Sequence, residues 1–240
     1  GQPAMKFIDP QKLDPRPLTL RARCLERKTL IPPWDGDARL AAPSLQKSES
    51  EGLSWTVARG RLTRDLLAGL VFVVDDLEPL LGRLAPDCPQ WKSERAAARA
   101  WLDAHFPHLY TPGQSGHCQL DLSQLFALGI DGLAAQIQQR RRASSTAEQA
   151  EVYLSFGDAL AGLSQMIENA AAAAETAAES AAAAAQAAPG RASELERQAA
   201  LCRRIAHLPP ATFQEALQLT WLVILGVQAA DRAWLVVPGH

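Results

Sequence analysis

From Ser144 to Gly190 the chain reads "SSTAEQAEVYLSFGDALAGLSQMIENAAAAAETAAESAAAAAQAAPG", and no other stretch restricts the fold so strongly. Ser145 and Glu148 have the spacing of a capping box, and Pro189–Gly190 is a stop signal. The interval is roughly 40 residues, about 60 Å as one helix. Within it Phe156, Leu160, Leu163, Ile167, Ala170, Ala174, Ala178 and Ala181 recur at steps of three and four, which is one stripe of a helical surface. Large side chains give way to alanine along the stripe. The alanine half must therefore lie very close to a neighbour, or stand on the surface held by propensity alone. A helix this long needs other helices beside it.

The segment "ASELERQAALCRRIAHL" supplies one, with Leu195, Ala199, Cys202 and Ile205 inward. The two form an antiparallel hairpin over about 146–207. Pro209 and Pro210 end it, and Thr212 with Glu215 makes a second capping box, opening "FQEALQLTWLVILGVQ". Upstream, Leu122, Leu125, Phe126, Ile130, Leu133 and Ile137 mark another helix, and Ser93 to His105 a further one, ended before Pro107. Leu66, Leu67, Leu70, Val74, Leu77 and Leu81 predict one helix through "LLAGLVFVVDDLEPLLG", stopped by Gly82. Residues 1–50 read as an irregular Pro/Arg-rich segment with a helical pattern at Leu18, Leu20, Ala22 and Leu25, and "IPPWDGD" excludes a helix at 31–37. The expected fold is mostly α, six or seven helices with no complete sheet, and residues 51–240 form one body.

Composition narrows the function. At 240 residues and 48% hydrophobic the chain can bury a sizeable core. A net charge of -2 carries no polyanion-binding signature, and the run Arg140, Arg141, Arg142 reads as a solvated helix end. Cys24, Cys88, Cys118 and Cys202 form no CxxC pair, which argues for reduced thiols in a cytoplasmic protein rather than zinc or disulfides. Ala216 to Ala230 contains Gln218, Thr220 and Gln228 and is too short and polar to span a bilayer. The chain opens "GQPAM" and stops at "VVPGH", an apolar run, so a truncated domain is expected.

Most candidate chemistry has a bland explanation. His105 and His108 flank Pro107, with no third metal ligand near. Asp75, Asp76 and Glu78 read as a solvated turn, His207 as a helix C-cap cation, and Asp158 and Glu168 as ordinary face residues. GxSxG, GxxxxGK[ST] and GxGxxG are all missing. His117 in "TPGQSGHCQLD" is different: a linker uses Pro112, Gly113 and Gly116 but has no use for an imidazole. A binding loop uses both, because glycine admits a ligand close to the backbone and imidazole exchanges hydrogen bonds with it.

Four segments in order resemble the glycyl radical enzymes of the pyruvate formate-lyase type. They are "GRLTRDLLAGLVFVVDDLEPLLGRLAPD", "TPGQSGHCQLDLSQLFALGIDGLAAQI", "SFGDALAGLSQMIENAAAAAETAA" and "ELERQAALCRRIAHLPPATFQEALQLTWLVILGVQ". The second is similar to that family's Gly-Gln-Thr-Gly-His segment and its apolar-Gly-x-x-Gly helix, here at Gly129 and Gly132. The resemblance implies a helical N-terminal portion of an α/β barrel. It also implies lyase, dehydratase or acyltransferase chemistry of the formate C-acetyltransferase kind, run by a cysteine thiyl and a glycyl radical. An S-adenosylmethionine-dependent iron–sulfur activating enzyme installs that radical under oxygen-free conditions. Both radical residues lie beyond position 240 in family members, and Cys24, Cys88, Cys118 and Cys202 match neither, so no catalytic residue and no bound cofactor or metal is expected here. A small-molecule substrate, the activating enzyme and a homodimeric full-length form are the implied partners, with no nucleic acid or membrane.

In the diol-dehydratase branch the histidine of this loop bonds a substrate hydroxyl, and the resemblance gives that place to His117. It places Leu235 where that branch carries a substrate-binding serine, making Leu235 a candidate pocket wall and the pocket less polar. Asn169-Ala170-Ala171 replaces the family's Arg-Tyr-Ala step. The rival expectation is a non-catalytic helical interaction or scaffold module derived from the same fold.

Overall fold

A computed structural model describes residues 15–26, 38–75, 77–85, 91–107, 109, 117–183, 190–231 and 235–237. In chain order the elements are α1 (Pro15–Glu26), α2 (Ala38–Ser50), α3 (Trp55–Ala68), β1 (Phe72–Val73), β2 (Arg83–Leu84) and α4 (Lys92–His105). There follow β3 (His117–Gln119), α5 (Ser123–Arg142), α6 (Ala147–Ala183), α7 (Arg191–Ile205), α8 (Phe213–Asp231) and β4 (Leu235–Val237). The mostly helical class read from the sequence is the class observed.

Helix α6 is the axis, with α3 and α7 against it and α5 and α8 beside them. Its alanines resolve the choice posed by the sequence: Ala170, Ala171, Ala174 and Ala178 are buried, so the small side chains serve close packing. Leu195, Ala199, Cys202 and Ile205 of α7 are buried as expected. Toward its start the buried line of α6 runs through Gly162 and Met166, and Phe156 is exposed. The reason is the crossing with α3. A Cβ on Gly162 would lie 2.6 Å from the Arg64 Cα, and one on Gly60 would lie 2.5 Å from the Ser155 Cα, so the two backbones touch there. The opening cap is one residue later than expected: the Thr146 hydroxyl accepts from the Gln149 N–H, and the Gln149 Oε1 accepts from the Ser145 N–H. The expected stop at Pro189 lies outside the described residues.

A main core joins Leu67, Ile130, Ile167, Ile205 and Leu222 from five helices with Leu70 from the segment after α3, and a smaller one joins α2, α3 and α4 around Leu45, Leu62 and Leu102. Helix α2 corrects the expectation of an irregular segment before residue 51. It contains Pro43 and a polar second half, which hide its buried line Ala38, Ala41, Ala42 and Leu45. "IPPWDGD" lies outside the described residues.

The single helix expected up to Gly82 is also corrected. Helix α3 ends at Ala68, where Gly69 caps it and the Asn169 Nδ2 donates to the Ala68 carbonyl at 2.8 Å. That bond satisfies a carbonyl the helix leaves unpaired, and it gives Asn169 a structural role. Beyond it the β-branched residues Val71 and Val73 favour extension, and β1 pairs antiparallel with β2, Phe72 opposite Leu84. The other ladder, β3 with β4, is parallel.

Candidate functional site

Two positions singled out in the sequence meet in the fold. His117 opens β3, Leu235 opens β4, and the parallel register sets them opposite each other. Cys118 then faces Val236 and Gln119 faces Val237 along the ladder. His117 is thus the first residue of a strand, a correction to its expected place inside a bend; residues 111–116 lie outside the described residues. Successive strand positions alternate between faces. Val236 is buried and Gln119 is exposed, so the ladder has a core face and an outer face.

The helices fix where this ladder sits. After β3, Leu120 and Leu122 pack on the main core, and the Asp121 carboxylate accepts from the Ser123 N–H at 3.0 Å and its hydroxyl at 2.6 Å. Helix α5 then bends at Gly129, where φ is 69°. A Cβ there would stand 2.5 Å from the Pro209 nitrogen and 2.6 Å from the His207 oxygen, so glycine alone fits. The elbow seats α5 on the turn between α7 and α8. From the other side, α8, buried through Leu219, Leu222 and Val223, leads into β4.

A second feature escaped the sequence reading. Buried Gln218 of α8 donates from Nε2 to the Leu81 carbonyl at 2.7 Å and accepts the Leu81 N–H at 2.9 Å. Arg191 donates to the Asp75 carbonyl at 2.7 Å, Gln198 to the Pro79 carbonyl at 2.7 Å, and Arg16 to the Leu77 carbonyl at 2.6 Å. Arg23 pairs with Asp75 at 3.0 Å, and Arg83 pairs with Glu78. The acidic stretch is therefore gripped by side chains from α1, α7 and α8, which corrects the expected solvated turn; Asp76 lies outside the described residues. Burial works to raise the Asp75 carboxyl, but the Leu77 N–H with Arg83 and Arg23 outweighs it and holds the group below its ordinary value. The signal was present in the sequence: Gln218 is a polar residue inside an apolar run.

The remaining candidates have structural roles. The His105 Nδ1 lies 2.9 Å from the Trp101 carbonyl and its ring stacks on Trp101, while His108 is outside the described residues. Asp158 pairs with Arg64 at 2.9 Å. His207 follows the α7 C-cap, where its N–H donates to the Arg204 carbonyl at 3.2 Å, and its ring bonds Asp131 and Glu168 as well. Cys202 is buried, and that burial, with Glu168 near, pushes its thiol up to about 12, so it is no ready nucleophile. No cluster that could hold a metal occurs among the described residues. No helix among them is long and apolar enough to cross a membrane.

One surface is conspicuously apolar. Phe213, Leu217 and Trp221, at successive steps of four on α8, are 83%, 43% and 39% exposed. Gly82 lies against this stripe, within reach of the Trp221 indole.

Residues 92–240 match the family described as pyruvate formate lyase-like. The fold is similar to the glycerol-bound B12-independent glycerol dehydratase from Clostridium butyricum, with a TM-score of 0.72 and 14% identity over 95% of this chain and 35% of that one. Hydroxyproline dehydratase from Clostridioides difficile gives 0.70 and 15% over 90% of this chain and 34% of its own. A glycyl radical enzyme from Archaeoglobus fulgidus gives 0.55 and 18% over 81% and 32%. At these identities the likeness is one of fold, and the chain spans about a third of each relative's length. No curated protein sequence matches it.

Proposed function

This chain belongs to the pyruvate formate lyase-like family, and from that premise we propose that it is the helical wall of a divergent glycyl radical enzyme. The reaction is cleavage of a carbon–heteroatom bond in a small hydroxylated molecule, the chemistry named for two of the similar structures. The observation that carries this reading is the β3–β4 register, which pairs residue 117 with residue 235 on a ladder anchored to the core.

In this reading His117 orients a substrate hydroxyl, and its imidazole relays a proton to the departing water. Leu235 narrows the pocket and makes it less polar, favouring a substrate with an apolar flank. The exposed stripe Phe213, Leu217, Trp221 supports further polypeptide packing against α8. The radical that starts the reaction belongs to residues without a counterpart here, is installed by an S-adenosylmethionine-dependent iron–sulfur activating enzyme, and acts in a cytoplasmic homodimer.

The test uses the full-length protein, activated without oxygen and challenged with small diols, glycerol and hydroxyproline. A glycyl radical signal with turnover that falls about a hundredfold or more in His117→Ala supports the reading. Turnover untouched by His117→Ala removes the residue from the site. A second reading, a non-catalytic scaffold module, is favoured by the helices' own continuous core. Absence of any radical signal after activation selects that second reading.

A further inference from the structure

The His207 imidazole stands between two carboxylates from different helices. Its Nδ1 lies 3.1 Å from the Asp131 Oδ1 of α5, and its Nε2 lies 3.2 Å from the Glu168 Oε1 of α6. An ionised carboxylate only accepts hydrogen bonds, so both contacts form together only when both ring nitrogens carry protons. The neutral ring keeps one bond and turns a lone pair toward the other carboxylate. The backbone of the same residue is engaged too: its carbonyl accepts the Asp131 N–H at 3.0 Å and forms part of the seat on which Gly129 bends.

We propose that His207 is a proton-operated clamp on the α5 elbow, closed when the imidazole is charged and loosened when it is neutral. It ties α5 and α6 to the segment that leaves α7. The elbow it holds leads back through Ser123 to β3, so the clamp governs how firmly that strand is held against the helical layer.

The charged groups around it are consistent with this role. From α5 comes Asp131; from α6 come Glu168 and Glu175; from α7 comes Arg203, which pairs with both of those glutamates. On the α8 side Arg204 is occupied by Glu215 at 2.9 Å and by the Pro209 carbonyl at 2.8 Å, and among the described residues His207 is the cation paired with Asp131. Buried Cys202, its thiol held protonated, adds no charge near neutral pH. Acids outnumber the fixed base at this junction, and the Asp131 hydrogen bond first, with Glu168 assisting, raises the imidazole above its ordinary 6.5. The clamp is therefore fully closed below 6.5 and is lost as pH rises through the higher value of the folded protein.

The proposal does not depend on the enzymatic reading. The experiment is an NMR titration of the His207 ring in the intact chain, with hydrogen exchange of the Asp131 amide across the same pH range. The ring is expected to titrate above 6.5, and Asp131→Asn to bring it back toward 6.5. Protection of the Asp131 amide, corrected for base catalysis, should fall about fivefold as the ring deprotonates, and in His207→Gln should not vary with pH. If His207→Gln does not fold, Asp131→Asn, altered at an exposed carboxylate, still decides the matter. A ring titrating at or below 6.5, or amide protection that follows pH equally in wild type and variants, overturns the clamp.

Discussion

The α6–α7 hairpin and the β3–β4 ladder are held by opposite means. The hairpin joins neighbours in sequence, and its core is built of small residues: Ala170 and Ala174 of α6 share one buried cluster with Ala199 and Cys202 of α7. Its stability is spread over many contacts and each helix is half-determined by its own propensity. The ladder joins residue 117 to residue 235 over three residue pairs, and the intervening helices must be placed before it can form. It has little to hold it except where those helices put its ends. The robust element is thus the scaffold, and the candidate site sits on the element that depends on it.

The most direct way to break this dependence is at the elbow. Gly129→Ala forces a side chain into positive φ and against the backbone of His207 to Pro209. It should cost about 3 kcal/mol or more in urea unfolding. A loss below about 1 kcal/mol would mean that α5 is free to lift off that turn. Within the hairpin, Ala174→Leu overpacks a fully buried position and should cost about 2–3 kcal/mol, read as a lower thermal midpoint. Gln218→Leu leaves the Leu81 N–H and carbonyl without their partner and should cost about 2 kcal/mol.

Gly157→Ala sharpens the comparison from the other side. Position 157 lies inside α6, yet a Cβ there meets nothing within 4 Å. The helix should gain about 0.5–1 kcal/mol, with the ladder unchanged. A destabilised variant would show that the first half of α6 is packed by something outside this layer.

The same contrast decides what could be read from sequence. The hairpin, α4, α5 and α8 were legible because their apolar spacing is a local property, and Thr212 with Glu215 forms the cap its spacing predicted. Helix α2 was missed because Pro43 and a run of polar residues mask its buried apolar positions Ala38, Ala41, Ala42 and Leu45. The end of α3 was missed because Leu70, Val74 and Leu77 continue its spacing, while the contact that ends it, Asn169 on Ala68, comes from a distant helix. At the site, His117 was named from its loop composition and the family resemblance and Leu235 from the resemblance, but nothing local could show that they are register partners. The gripped turn at 75–81 was misread for the same reason: Arg16, Arg191, Gln198 and Gln218 reach it from three other helices.

Everything proposed for the site rests on the parallel pairing of β3 with β4. Cross-strand backbone contacts in a nitrogen-15-edited NOE spectrum of the labelled chain measure that pairing directly. The account predicts contacts joining residues 117 with 235, 118 with 236 and 119 with 237, in parallel order. Contacts in another register or in antiparallel order, or slow-exchanging 118 and 236 amides with no cross-strand contact, would contradict it.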